Sequence, residues 1–316
     1  MDHDQRFKTL IREFFADFLQ LFFADIARNL DLSDPEWLDK ELYPDPPEGT
    51  RHAIDLVAQV PVTVPIDDGS KASIILVHIE VDASDKTTIL KPRFPFYYHF
   101  LRDKLNLPVL PIAIFLKVGL DGIGIDHYEE KVWDLTPLTF EYLYVGLPGL
   151  DGVEYLQKDN WLSVALSALM KIPRDRVAWL GAEALRRLVG APLSDQKRFL
   201  LGECVQAYLS MDEQQQQEYE DLMMTETYKE ALQMNQTVYE KGLEKGTEIG
   251  LEKGAEIGRR RMMAELLEDS FGPLSQATMQ QLDQLSINEL RELSRKIRTA
   301  QSLADLGLPE GDESNP

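Results

Sequence analysis

A single cysteine, Cys204, stands among 316 residues. That excludes an intramolecular disulfide and any zinc site built on several thiolates, and it suits a reducing compartment. Long apolar runs are missing too: the most apolar stretch, Pro108 to Lys117, is about half the length of a membrane span. The opening residues, MDHDQRFKTL, are too charged for a secretory leader. The expectation is therefore a cytoplasmic protein with no membrane partner. Basic residues are also few, with 33 Lys and Arg against 54 Asp and Glu, a net charge of −21. This excess argues against a broad basic nucleic-acid surface, although a locally positive groove stays compatible with it. Histidine is scarce, and His3, His52, His78, His99 and His127 fall into no HExxH spacing.

What is present is enough apolar material for a core, 44% of the residues. Residues 6–30 place Phe7, Leu10, Ile11, Phe14, Phe18, Leu21, Phe22 and Ile26 at helical spacing on one broad stripe. The Asp- and Pro-rich stretch 31–49 reads as a loop holding a short turn or strand. Residues 52–66 then alternate around Asp55, and Asp67-Asp68-Gly69-Ser70 signals a turn. KASIILVHIEVD (71–82) is β-branched and apolar almost throughout, as a central strand covered on both faces should be. Residues 84–105 look helical, with Pro92 and Pro95 making the first part irregular or kinked. A buried strand follows at 107–119 and a further strand at 140–147; Gly119, Gly122 and Gly124 between them read as a turn. The order helix, strand, strand, helix, strand gives an α/β sandwich with a mixed central sheet over 1–150.

Past residue 155 the periodicity is helical, so 151–239 reads as a helical bundle. Cys204 falls in an apolar helical pattern there and reads as a core residue. Residues 240–259 repeat as EKGL, EKGT, EIGL, EKGA, EIGR, which puts Glu on one helical stripe and Gly on another. Each interior Gly costs about 1 kcal/mol against Ala, so this helix needs a close partner or serves as a connector over 240–262. A second copy of the chain, a homo-oligomer packed on the Gly stripe, is the partner that pattern suggests. Residues 263–308 read as a small helical domain, with a stop at Gly272-Pro273 and a capping box of Ser286 and Glu289. The tail 309–316 has a disordered composition.

Chemistry concentrates on the two strands. Asp55 lies in an apolar strand, Glu80 near the end of the next, and Asp82 and His78 share the sheet face of Glu80 by alternation. Clustered carboxylates are costly unless a cation neutralises them. Hard oxygen donors on neighbouring strands suit Mg2+ or Mn2+, which can activate water against a phosphodiester. Spacing alone leaves a second reading open, in which these are strand-end carboxylates facing solvent.

RHAIDLVAQV with Asp55, LVHIEVD with Glu80, LPVLPIAIFL, the opening helix, the EKG repeat and the C-terminal stretch LLEDSFGPLSQATMQQLDQLSINELRELSRKIRTAQSLADLGL carry a resemblance to one family, the last of them to a small helical domain of unknown function often attached to its members. It is the Rpn family of recombination-promoting nucleases, also called YhgA-like putative transposases, within the PD-(D/E)XK superfamily. The resemblance covers nearly the whole chain. It implies a restriction-endonuclease-like α/β sandwich, a Mg2+- or Mn2+-dependent DNA endonuclease, and DNA as partner. Asp55 and Glu80 would be the metal ligands, and Glu13 matches a position where some members keep an extra acid. The sequence departs from the pattern after the Glu, where Val81-Asp82 replaces x-Gln or x-Lys. Asp82 could add a metal ligand but cannot attract a phosphate. LKPRFPFYY keeps Lys91, Arg93, Tyr97 and Tyr98 of a basic run leading into Tyr-Tyr, and Lys91 or Lys86 is the candidate for a lysine moved from strand to helix. The departure keeps an alternative alive: a catalytically degenerate nuclease fold acting as an interaction or scaffolding module.

Overall fold

The computed structural model describes residues 3–38, 54–66, 72–83, 90–233 and, with short gaps, 258–309. The E-x-G-x repeat as far as 257, the turn at 67–70, Lys86 and Ser286 lie outside the described residues. The chain divides into two compact units, Met1–Tyr239 and Glu240–Pro316.

The first unit opens with α1 (His3–Glu13), α2 (Phe15–Phe22) and α3 (Ala24–Ala27). The sequence pattern gives one helix here, and the structure breaks it at Phe14 and Phe23. Neither break holds Pro or Gly. Both residues are buried phenylalanines, so packing of the rings overrides local propensity. Then come β1 (Glu36–Trp37), β2 (Leu56–Pro61), β3 (Ile74–Asp82), α4 (Leu90–Leu105), β4 (Val109–Phe115), β5 (Gly122–Val132) and β6 (Leu135–Gly146). The six strands form one mixed sheet in the order β1-β2-β3-β4-β6-β5. β1, β2 and β3 are antiparallel, α4 crosses over to β4 parallel to β3, and β6 adds parallel to β4 with β5 antiparallel at the edge.

Strand alternation gives β3 two different faces. Ile75, Val77 and Ile79 join the main core with Phe7, Ile11 and Phe18 of the opening helices. Leu76 packs on the opposite face against Tyr97 and Leu101 of α4. Helix α4 begins only at Leu90, which puts Pro92 in the first turn, where a missing N–H breaks no helical bond. Pro95 is then the one proline inside the helix.

β5 is an element the sequence pattern did not yield. Its alternation is inverted for a buried strand: Ile123 and Ile125 face out, while Gly124 and Tyr128 are half-buried. The hairpin turns at Trp133, which is 94% exposed with φ 52°.

Helices α5 (Gly152–Leu156), α6 (Trp161–Leu166), α7 (Val177–Val189), α8 (Asp195–Tyr208) and α9 (Glu213–Met223) follow. Regions 1–150 and 151–239, distinct in sequence character, share a single core: Leu166, Leu180, Leu185 and Cys204 belong to the same cluster as Ile79 and Ile112. Cys204 is buried, and its thiol is held well above the usual range, chiefly by that burial. Asn160 ties the regions together. Its side chain caps α6 by accepting from Ser163 N–H at 2.9 Å and donates to the Asp17 carbonyl of α2 at 3.2 Å. Asn160→Ala should therefore cost about 1–2 kcal/mol, as a lost cap plus a lost bond to the Asp17 carbonyl. Urea denaturation checks this, and an unchanged midpoint would show that neither bond matters.

In the second unit residues 258–271 and Ile287–Lys296 are helical, and Met263, Leu267, Leu282, Leu290 and Leu293 bury around a small core of their own. Gly272, at φ 87°, ends the first of these helices in the left-handed conformation that glycine adopts most readily.

Candidate functional site

Three elements meet beside the end of β2. The apolar stripe of α1, with Phe7, Leu10 and Ile11 buried, presses that helix onto the sheet and carries Lys8 with it. The antiparallel ladder of β2 and β3 pairs Leu56 with Ile79, so one step further Asp55 stands next to Glu80. There side chains continue the ladder. Asp55 N–H donates to Glu80 Oε1 at 3.1 Å, and Val81 N–H donates to Asp55 Oδ2 at 2.9 Å. The other Asp55 oxygen, Oδ1, meets Lys8 Nζ at 2.5 Å. Lys8 is only 6% exposed, so this is a largely desolvated pair rather than a surface one.

On the face of β3 under α4, His78 is fully buried and its Nε2 lies 2.8 Å from Glu80 Oε1. The tautomer with its proton on Nε2 lets His78 donate to Glu80 Oε1. His78 Nδ1 has no partner among the described residues. The rings of Phe94 and Tyr97 stand edge-on to the imidazole at 5.1 and 6.0 Å between centroids. Glu80 Oε1 thus accepts from both sides, from Asp55 and from His78, and its orientation is fixed before any substrate arrives.

The electrostatics record the crowding. Burial, then the adjacent Glu80 carboxylate, push the Asp55 carboxyl up from 3.8 to about 6, against the pull of Lys8. Burial and then Glu80 also push the Tyr97 phenol up to about 12, with the Arg93 charge opposing them. Asp55 and Lys8 line a cleft of about 710 Å3, together with Gln5, Arg12, Glu13 and Trp37. The Arg12 guanidinium lies over the Trp37 ring, 5.3 Å from its centroid.

The residues expected from sequence fare differently. Asp55 and Glu80 are brought together. Glu13 lines the same cleft, exposed, at the end of α1. Asp82 is buried two residues beyond Glu80, yet among the described residues no three His, Cys, Asp or Glu side chains form a group that could hold a metal ion. Of the expected ligand set of Asp55, Glu80 and Asp82, Asp55 and Glu80 are the two that a hydrogen bond joins. Lys91 is in the first turn of α4, where its side chain lies outside the described residues. Tyr97 reaches His78, whereas Tyr98 turns to Phe140 at 5.3 Å.

The group that sequence reasoning missed is Lys8. Its signal was present: Lys8 precedes Ile11 by three residues and Phe15 by seven, so a lysine sits on the apolar face of a core helix. Such a lysine is buried with a partner or the helix does not pack.

Asp55 and Glu80 present hard carboxylate oxygens beside the Lys8 ammonium. Mg2+ and Mn2+ commonly take one or two carboxylates and fill the rest with waters and substrate oxygens, and two carboxylates are a donor set of that kind. Comparisons with protein-family models, curated proteins and solved structures find no match for the chain. No helix among the described residues is long and apolar enough to cross a membrane.

Proposed function

We propose that this protein is a metal-dependent endonuclease that hydrolyses DNA phosphodiester bonds, built on a restriction-endonuclease-like sandwich of the kind the Rpn resemblance implies. The observation that carries this reading is the pairing of Asp55 with Glu80 on adjacent strands, with Asp55 lining a cleft, at an electrostatic cost that burial makes large. A carboxyl raised by burial and by a second carboxylate beside it, in a cleft, marks a candidate functional site, and a bound cation would relieve that cost. Asp55 and Glu80 would hold Mg2+ or Mn2+, which when bound supplies an activated water and neutralises charge developing on the phosphate. His78 and the Asp55 N–H orient Glu80, and Val81 N–H orients Asp55. Lys8 and Arg12 bring positive charge to a cleft on a chain of net charge −21, which lets a phosphate approach locally.

The test is nicking of supercoiled DNA with Mg2+ or Mn2+, wild type beside Asp55→Ala and Glu80→Gln. Wild-type cleavage, lost by 100-fold or more in either variant and in EDTA, is expected. No cleavage by the wild type with either metal would remove the nuclease reading.

A second reading is a degenerate fold that acts as an interaction module. It is favoured by Asp82 in the place of a Gln or Lys and by a two-carboxylate rather than three-carboxylate site. It expects no cleavage even after Asp82→Gln. Cleavage gained in that variant would instead mark a site intact but for one residue.

A further inference from the structure

We propose that Lys8 is an internal counter-cation that a divalent metal must displace from Asp55, so that the metal-free site is held closed by its own lysine. The inference rests on the metal-site reading of Asp55 and Glu80. Its basis is which oxygen is in use. Asp55 Oδ2 accepts from Val81 N–H at 2.9 Å, and Oδ1 meets Lys8 Nζ at 2.5 Å. A metal bound to Oδ1 at ~2.1 Å would bring a dication against the ammonium that already neutralises this carboxylate. The two cations therefore compete for Asp55.

The surroundings permit the exchange. Lysine carries its charge as a point on a flexible four-carbon stem, so it can leave without moving α1. The cleft lined by Gln5, Lys8, Thr9 and Arg12 gives it a place to go. The other cations of α1 are engaged elsewhere: Arg6 meets Glu203 of α8 at 3.4 Å, and Arg12 stacks on Trp37. Lys8 is thus the α1 cation placed against the carboxylate pair. On displacement its ammonium moves towards the space a substrate phosphate would fill, so that metal loading and phosphate binding are coupled through one side chain.

The test is Mn2+ affinity at pH 7.5, measured by calorimetry on the full chain, for wild type, Lys8→Gln, Lys8→Arg and Asp55→Asn. Lys8→Gln should bind Mn2+ at least ten-fold more tightly than wild type. Lys8→Arg should stay within about three-fold of wild type, and Asp55→Asn should lose the site. Equal or weaker binding in Lys8→Gln, or no binding in either protein, overturns the proposal. A measurement on the wild type keeps it testable if Lys8→Gln fails to fold. Acylation of Lys8 by an amine-reactive reagent, read by mass spectrometry, should rise several-fold when Mn2+ is added, and not in Asp55→Asn. Unchanged labelling overturns the proposal as well. Tighter Mn2+ binding in Lys8→Gln with no DNA cleavage by any variant would leave the displacement standing and remove only the nuclease reading.

Discussion

Metal-free wild-type protein should lose stability as pH rises from about 4 to about 6, and Asp55→Asn should lack that portion of the loss. The Asp55 carboxyl, pushed up to about 6 in the folded chain from 3.8, keeps its proton over a range in which the unfolded chain has released it. Unfolding there releases a proton, so raising the pH favours the unfolded state. The stabilisation is complete below pH 3.8, is lost as pH rises through the folded value, and is gone above about 7. A shift of this size corresponds to on the order of 2–3 kcal/mol. Urea denaturation in EDTA at several pH values reads it as the difference between wild type and variant. The difference curve is the quantity of interest, because Asn also alters the contact with Lys8, and only the part that follows the ionisation of Asp55 varies with pH in this window. A flat difference would show that the Asp55–Glu80 pair is not strained. Adding Mg2+ or Mn2+ at pH 7.5 should recover stability in wild type and leave Asp55→Asn unchanged.

Gly146→Ala should be the most damaging single-methyl substitution among the glycines of the sheet. A Cβ at Gly146 would fall 1.5 Å from the carbonyl oxygen of Leu120, and a backbone oxygen cannot swing aside as a side chain can. Gly146 pairs with Phe115 on β4 and with Gly122 on β5, so the clash sits where three strands meet. The backbone φ of −104° is open to any residue, and the constraint is space alone. The expected loss is about 3 kcal/mol or more, among the largest effects a point substitution produces. Gly190→Ala is the control. Its nearest neighbour would be the Arg187 carbonyl at 3.8 Å and its φ is −78°, so Ala fits there and should be neutral or slightly stabilising. Equal stability of Gly146→Ala and wild type would mean that the β5–β6 hairpin can move off Leu120 at little cost.

How much of this was legible beforehand varies by element. β3 was, because nine residues of nearly unbroken apolar character, IILVHIEVD, can only be a strand covered on both sides. Its extent came out shorter at the start than the run 71–82 suggests, since the ladder begins at Ile74. α4 was legible except for its first turn, where the start at Leu90 makes Pro92 harmless. β5 was not, because an edge strand packed on one partner tolerates exposed Ile123 and Ile125 and loses the usual code. The break at Phe14 was not, because nothing in its local sequence disfavours a helix.

By itself the sequence determined the acidic balance, the helix-rich second half, the central strand and the two carboxylates Asp55 and Glu80 as the place to look. Those follow from composition and from periodicities of 2 and 3.6 that each segment carries alone. Only the tertiary structure decided which groups meet. Lys8 and Asp55 are 47 positions apart, and Asp55 and Glu80 are 25 apart. Lys8 reaches Asp55 because the stripe of α1 packs on the sheet, and Asp55 reaches Glu80 because the ladder of β2 and β3 ends one residue earlier. Asp82, which alternation places on the face of Glu80, is buried at the last position of β3, two residues beyond Glu80. Side-chain direction is a local property and can be read along a strand, whereas distance between elements depends on how their apolar faces dock.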